Sequence, residues 1–148
     1  MKKSRKRNSS SESGTIAETA TATALLREGF GVSFSHGDYM GWDIISDWDG
    51  KINRVQVKTA TRVRTSYHVN MGKSGKNGSL YTREQTDVIA VFLPYSRDYK
   101  ELNDDGIYII PVGEVNKTTA HFWPAGLGAR KDNLCQYQKY QDAFNLLK

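Results

Sequence analysis

The stretch WDIISDWDGKINRVQVKT, residues 42–59, decides the fold, because two strand-like patterns meet at the dipeptide Asp49-Gly50. Apolar and polar residues alternate on both sides of this dipeptide, as they do in half-buried strands. Asp-Gly between two such runs is the strongest short signal for a β-hairpin with a two-residue turn. The sequence therefore predicts strands over 42–47 and 51–59 that pair antiparallel.

The predicted register sorts the side chains of this hairpin onto two faces. A two-residue turn places Asp43 opposite Gln56, and directly opposed residues share a face. Strand alternation adds Lys58 to the same polar face. The other face is apolar and carries Trp42, Ile44, Val55 and Val57. A bulge or a longer turn would slip this register by one residue and separate the two sets.

The polar face has two interpretations. In the first, Asp43 and an oxygen from Gln56 or a neighbouring carbonyl bind a hard cation such as Mg²⁺. Lys58 then orients or deprotonates a water molecule, or neutralises the charge that develops on a phosphate. In the second, the face is solvated, and Asp43 and Lys58 form a modest surface ion pair. The hairpin alone leaves both interpretations open.

Glu18 also has two interpretations. Small apolar residues at helical spacing predict a helix over 15–28, which Gly29 ends. Thr15 and Glu18 fit a capping box, in which Glu18 only caps the start of that helix. Alternatively, Glu18 is a second carboxylate that the helix directs towards the metal. Spacing alone favours the cap.

The remaining pattern indicates a mixed-sheet α/β domain. The run at 87–94 is apolar on both faces, which is typical of a central buried strand. Further strands are predicted over 30–34, 65–70 and 106–112, a helical turn near 82–86, an irregular segment over 113–132 and a terminal helix over 136–147.

Composition narrows the class of protein. The chain has 148 residues, one cysteine (Cys135) and no apolar run near the ~20 residues of a membrane span. No secretory signal is recognisable, so a cytoplasmic, DNA-associated protein is expected. The basic, Ser-rich residues 1–13 predict a disordered arm before one domain over 14–148. The net charge of +5 favours a polyanionic partner, although solubility charge is the alternative.

Five ordered motifs resemble the PD-(D/E)XK nuclease superfamily, and in particular its small group I intron homing endonucleases. They are GTIAE at 14–18, WDIISD at 42–47, QVKT at 56–59, TDVIAVFLP at 86–94 and GIYIIPV at 106–112. The resemblance covers roughly residues 14–112. It implies a restriction-endonuclease-like α/β core with a mixed central sheet and flanking helices.

The resemblance also implies a Mg²⁺-dependent DNA endonuclease, with Mn²⁺ as a substitute ion. By matching position, Asp43 is the main metal ligand, Gln56 replaces the usual second acid, Lys58 is the catalytic lysine and Glu18 is the helix carboxylate. Trp42 stands where the motif has Pro, which does not affect the chemistry. Gln56 is neutral, so the site carries less negative charge, and the homing endonucleases are similar in this respect.

Double-stranded DNA is the expected partner. Four cations that follow the catalytic strand are candidates for DNA contact: Arg62, Arg64, Lys73 and Lys76. One site per chain cuts one strand, so a homodimer or a dimer of dimers is expected. Two alternatives stay open: a structure-specific nuclease such as a Holliday junction resolvase, in which Ser35 matches a loop serine, and a DNA-binding protein that has lost catalysis.

Overall fold

The computed structural model describes residues 10–37, 41–64, 66–73, 78–94, 106–123 and 136–148. One α-helix and eight strands lie in these ranges: α1 (Ser10–Arg27), β1 (Gly31–Phe34), β2 (Ile44–Trp48), β3 (Lys51–Thr59), β4 (Thr61–Val63), β5 (Ser66–Asn70), β6 (Val88–Leu93), β7 (Gly106–Pro111) and β8 (Thr119–Phe122). One short 3₁₀ turn, Val112–Glu114, lies between β7 and β8, and two more, Gln138–Tyr140 and Phe144–Leu147, follow β8.

Two sheets form the architecture. The larger has the order β1-β2-β3-β6-β7, and the smaller has the order β4-β5-β8. β3 pairs parallel with β6, whereas every other pair in both sheets is antiparallel. The predicted mixed central sheet is therefore confirmed.

The hairpin has the predicted register. Trp48 pairs with Lys51 and Ile44 pairs with Val55, as a two-residue turn requires. Asp49 and Gly50 have φ values of 51° and 86°, which is the conformation of the favoured hairpin turn. The Asp47 carboxylate accepts a 2.8 Å hydrogen bond from the backbone N–H of Gly50 and supports the turn.

The core lies between α1 and the larger sheet and continues across β6. α1 packs mainly against β3 and buries Ala17, Thr21, Ala22 and Leu25. β6 is buried along all six residues, because it lies between β3 and β7. This agrees with the continuous apolar run from which a central strand was predicted.

The start of the helix differs from the prediction. α1 includes Ser10–Arg27, so residues 10–13 are helical rather than part of a disordered arm. The alternation of Ser, Glu and Gly at its start gave no apolar stripe, so the periodicity marked only the later turns. Residues 1–9 lie outside the described part of the chain.

The C-terminal predictions were wrong in two places. The segment predicted as irregular contains β8, which completes the smaller sheet. The predicted terminal helix is instead two 3₁₀ turns, separated where Gln141 bridges to Tyr108 and Asp142 takes a φ of 50°. Pairing with β7 thus outweighs the helical pattern. The aromatic and apolar side chains behind that pattern are nevertheless buried: Tyr137, Tyr140, Phe144 and Leu147.

Some parts of the sequence lie outside the described residues, among them Cys135, Lys76 and residues 95–105. In the part of the chain that the structure describes, no helix is long and apolar enough to cross a membrane.

The turn yields a prediction with a matched pair of substitutions. Gly50→Ala should lower the free energy of unfolding by about 1 kcal/mol, because alanine is strained at positive φ. Gly14→Ala should raise it by about 0.5–1 kcal/mol, because alanine is the better helix former. A Cβ at either position meets no atom within 4 Å, so steric clashes do not confuse the comparison. Urea unfolding measures the free energy of unfolding of both variants. Changes of the same sign in Gly50→Ala and Gly14→Ala would contradict this explanation of the turn.

Candidate active site

The backbone of Asp43 is fixed directly before β2. Its N–H donates to the carbonyl of Val55 at 2.9 Å, and its own carbonyl accepts from the N–H of Ser35 at 2.8 Å. Two residues earlier, Gly41 lies so close to Gln85 that a Cβ would stand 2.6 Å from the Gln85 Cβ. The segment that carries Asp43 is therefore held between the end of β1, β3 and the turn before β6.

The Asp43 carboxylate contacts Gln56, as the hairpin register predicted. Asp43 Oδ2 accepts hydrogen bonds from Gln56 Nε2 at 2.6 Å and from the backbone N–H of Val57 at 2.8 Å. Gln56 Nε2 also donates to the Val57 carbonyl at 3.2 Å. Since the amide protons of Gln56 are directed at these acceptors, its side chain presents its oxygen as the group that can bind a metal.

Lys58 lies on the same face of β3 as Gln56, two residues further along the strand. Its ammonium donates to the backbone carbonyl of Gly72 at 2.9 Å and stands 4.9 Å from the centre of the Tyr81 ring. Burial lowers the pKa of Lys58, and the negative charge of Asp43 opposes that effect. The structure thus brings Asp43, Gln56 and Lys58 into one partly buried cluster.

Glu18 lies in the interior of α1 and does not cap it. The helix starts at Ser10, and the hydroxyl of Thr15 donates to the Ser11 carbonyl at 3.1 Å, within the helix. The capping-box interpretation is therefore wrong. The N-terminal half of α1 reaches the end of β3, because Thr59 Oγ1 donates to the Ser13 carbonyl at 3.4 Å. Glu18 is about 7.5 Å further along the helix axis and is partly buried.

The candidate DNA-contacting cations are spread along the smaller sheet. The guanidinium Nε of Arg62, on β4, donates to the carbonyl of Arg64 at 3.1 Å, and Arg64 is exposed with a φ of 56°. Lys73 follows the opposite end of β5, a strand about 17 Å long. The cations therefore do not form one local patch, and Lys76 lies outside the described residues.

Two groups at the site were not found from the sequence: the Gly72 carbonyl and the Tyr81 ring. A backbone carbonyl leaves no residue-type signal. Tyr81 lies 23 positions after Lys58 in the printed sequence, in a segment without strand or helix periodicity. Only the tertiary structure brings both groups to Lys58.

Comparison with known proteins identifies the family. A family model described as PD-(D/E)XK endonuclease matches residues 8–144. The chain belongs to the PD-(D/E)XK endonuclease family. This confirms the resemblance seen in the motifs and assigns the chain to the nucleases, whose PD-(D/E)XK members generally depend on a divalent metal ion.

A solved structure supports the fold of this nuclease. The structure of a bacterial homing endonuclease, I-Ssp6803I, is similar with a TM-score of 0.71 and 20% sequence identity. The similarity covers 95% of this chain and 92% of that chain. At this identity the comparison establishes the fold alone. A comparison with curated protein sequences gives no match.

The donor set of the nuclease fits a hard divalent cation. Asp43 provides a carboxylate and Gln56 an amide oxygen, and Mg²⁺ typically takes one or two protein oxygens plus water and substrate phosphate. Among the described residues, no three His, Cys, Asp or Glu side chains form a metal-binding group. Asp43 and Gln56 would thus leave positions on the ion for further oxygen ligands, including water and substrate.

The partly buried ammonium yields a stability prediction. Because burial lowers the pKa of Lys58, the charged side chain costs the native state free energy at neutral pH. Lys58→Met should raise the free energy of unfolding at pH 7 by a small amount, because the side chain is partly exposed and solvent screens its charge. At pH values between the lowered pKa of Lys58 and the ordinary pKa of lysine, folded wild type binds fewer protons than unfolded wild type. Its free energy of unfolding therefore rises with pH in this range.

The difference between wild type and Lys58→Met should therefore shrink as the pH rises through that window. Urea unfolding at several pH values, with chelator present, measures it. Lys139→Met, which removes an exposed lysine beside the Tyr140 ring, is the control and should show no such gain. A Lys58→Met variant that is less stable at every pH would contradict the prediction.

Proposed function

We propose that this nuclease is a metal-dependent DNA endonuclease that hydrolyses phosphodiester bonds at specific sites in double-stranded DNA. Mg²⁺ is its cofactor, and Mn²⁺ can replace it. The observation that carries this proposal is the cluster of Asp43, Gln56 and Lys58, in which an anion, an amide oxygen and a partly buried ammonium meet.

Each member of the cluster has a distinct task. Asp43 is the main metal ligand, and its hydrogen bonds to Gln56 and to the Val57 N–H fix the direction of its carboxylate. Gln56 adds a neutral oxygen ligand, and Glu18 supplies a second carboxylate from α1. The bound ion supplies a Lewis acid and an acidic water molecule. Lys58 donates to a phosphoryl oxygen and stabilises the negative charge that grows in the transition state.

The proposed partner is double-stranded DNA, contacted by Arg62, Arg64 and Lys73 beside the smaller sheet, and by Lys76, which lies outside the described residues. Contacts spread over the length of β5 suit an extended phosphate backbone better than a compact ligand. Because one site cuts one strand, we propose that the active form is a homodimer or a dimer of dimers. Its target would share that symmetry.

The proposal is tested by cleavage of a randomised duplex library and, separately, of a synthetic four-way junction. Wild type with Mg²⁺ should cut a defined subset of the duplexes, and chelator should abolish cleavage. Lys58→Ala should reduce the rate by at least about 100-fold, because a donor to the transition state is lost. Lys139→Ala, which removes an exposed lysine from the C-terminal segment, is the matched control and should cleave normally.

Each other outcome would assign this chain to a different functional class. Cleavage of the junction alone would indicate a structure-specific nuclease such as a resolvase. DNA binding without cleavage in any divalent metal would indicate an inactive DNA-binding relative. Glu18→Gln should raise the Mg²⁺ concentration that gives the half-maximal rate, because a carboxylate near the ion is lost, whereas Glu12→Gln on the exposed start of the same helix should not.

The DNA contacts yield a separate prediction. Arg64→Ala should weaken binding of a nonspecific duplex and reduce the slope of log affinity against log salt by about 1, because one phosphate contact is lost. Fluorescence anisotropy over a salt series, with chelator to prevent cleavage, measures both values. Arg27→Ala, in the last turn of α1, is the control. An unchanged slope for Arg64→Ala would remove this arginine from the DNA interface.

A further inference from the structure

Lys58 is held by two groups from outside its own hairpin. Its ammonium donates to the Gly72 carbonyl at 2.9 Å and faces the Tyr81 ring, 4.9 Å from the ring centre. A cation within about 6 Å of a tyrosine ring centre is attracted by the negative face of the ring, and more strongly where water is partly excluded. We name the Gly72 carbonyl and the Tyr81 ring the lysine cradle.

The backbone at Gly72 is held by hydrogen bonds at the ends of two strands of the smaller sheet. The Gly72 N–H donates to the Asn70 side-chain oxygen at 2.9 Å, at the end of β5. The N–H of Met71 donates to the carbonyl of Thr118 at 2.7 Å, directly before β8. The carbonyl that accepts from Lys58 therefore lies on backbone that is hydrogen-bonded to the ends of β5 and β8.

Tyr81 is suited to hold a cation. Its ring is half-buried and packs against the core. Burial, and to a smaller extent the negative charge of Asp43, raises the pKa of Tyr81. The phenol is therefore neutral at physiological pH.

Tyr81 also faces a second cation. The ammonium of Lys73 lies 6.0 Å from the centre of the same ring, and the N–H of Lys73 donates to the Ser79 carbonyl at 2.9 Å. One ring is thus shared by Lys58, in the hydrolytic cluster, and by Lys73, a proposed DNA-contacting residue. Tyr81 therefore lies between the proposed catalytic lysine and a proposed DNA-contacting lysine.

We propose that Tyr81 is a positioning residue of the hydrolytic centre, which holds the Lys58 ammonium between its ring face and the Gly72 carbonyl. This inference rests on the proposed nuclease function and names a residue that the hydrolytic cluster itself does not include. The four-carbon side chain of lysine has many rotamers, and a displacement of about 1 Å at a reacting centre can cost about 100-fold in rate.

The competing explanation is that Tyr81 only fills space at the edge of the core. Phenylalanine retains the ring face and the packing, whereas leucine retains an apolar side chain without a ring face. Tyr140 offers a matched control, because it also lies beneath a lysine ammonium, that of Lys139 at 5.0 Å, but in the C-terminal segment.

The first experiment measures kcat and KM for DNA cleavage by Tyr81→Phe, Tyr81→Leu and Tyr140→Leu. Tyr81→Leu should lower kcat about tenfold or more, because Lys58 loses its position. KM should change little, because the surface that binds DNA is unaltered. Tyr81→Phe should stay within about twofold of wild type. Tyr140→Leu should leave kcat unchanged, even where it lowers the thermal midpoint.

The second experiment is a urea-unfolding double-mutant cycle with Lys58→Met and Tyr81→Leu, without metal or DNA. The two shifts in the urea midpoint should be non-additive, because each substitution removes the same contact. Since it needs no cleavage, this cycle tests the cradle independently of the nuclease.

The outcomes separate the two proposals. If the wild type cleaves DNA but the urea-midpoint shifts of Lys58→Met and Tyr81→Leu are additive, the cradle alone is overturned. Equal loss of kcat in Tyr81→Phe and Tyr81→Leu, or full kcat in both, would also overturn it. A wild type that cleaves no DNA would overturn the proposed function, and with it the catalytic role of Tyr81, whatever the cycle shows about the contact.

Discussion

The two-residue turn at Asp49-Gly50 fixes the register of β2 against β3, and the site depends on that register. Strand alternation has a period of two, so a slip of one residue would turn Gln56 and Lys58 towards α1 and bring Val55 and Val57 to the polar face. The other edge of β3 is fixed as well: Arg54 forms a two-point ion pair with Asp87, the residue before β6, and donates to the carbonyls of Arg83 and Glu84. β3 is thereby held in register on both sides.

The hydrolytic cluster combines local and distant parts of the chain. Asp43 and Gln56 come from the hairpin itself, and their contact follows from the turn. Lys58 comes from the same strand, but its ammonium is held by the smaller sheet and by Tyr81. The Gly72 carbonyl, two residues after β5, thus links a side chain of the larger sheet to the end of the smaller sheet. If Asp43 holds an ion as we propose, the neutral Gln56 adds no negative charge to the site, and the direction of the Asp43 carboxylate becomes more important.

The sequence predicted what depends on near neighbours and missed what depends on distant contacts. The hairpin, the buried β6 and the juxtaposition of Asp43 with Gln56 follow from turn chemistry and alternation. The terminal helix failed because Gln141 pairs with Tyr108 on β7, and no local pattern carries that information. β8 was missed because its four residues alternate too briefly to be recognised. The capping box failed because α1 extends upstream through residues with little apolar character. The lysine cradle was missed because one of its groups is a backbone carbonyl.

Diffraction from crystals soaked in millimolar Mn²⁺ tests whether Asp43 holds a divalent ion beside Gln56 and Lys58, as we propose. We expect an anomalous peak within about 2.5 Å of the Asp43 carboxylate, on the side of the Gln56 oxygen, that disappears in crystals of Asp43→Asn. A peak that persists in Asp43→Asn, or that forms only away from this cluster, would refute the proposed metal site. The polar face of β3 would then be a solvated surface, and the hydrolytic centre of this nuclease would lie elsewhere.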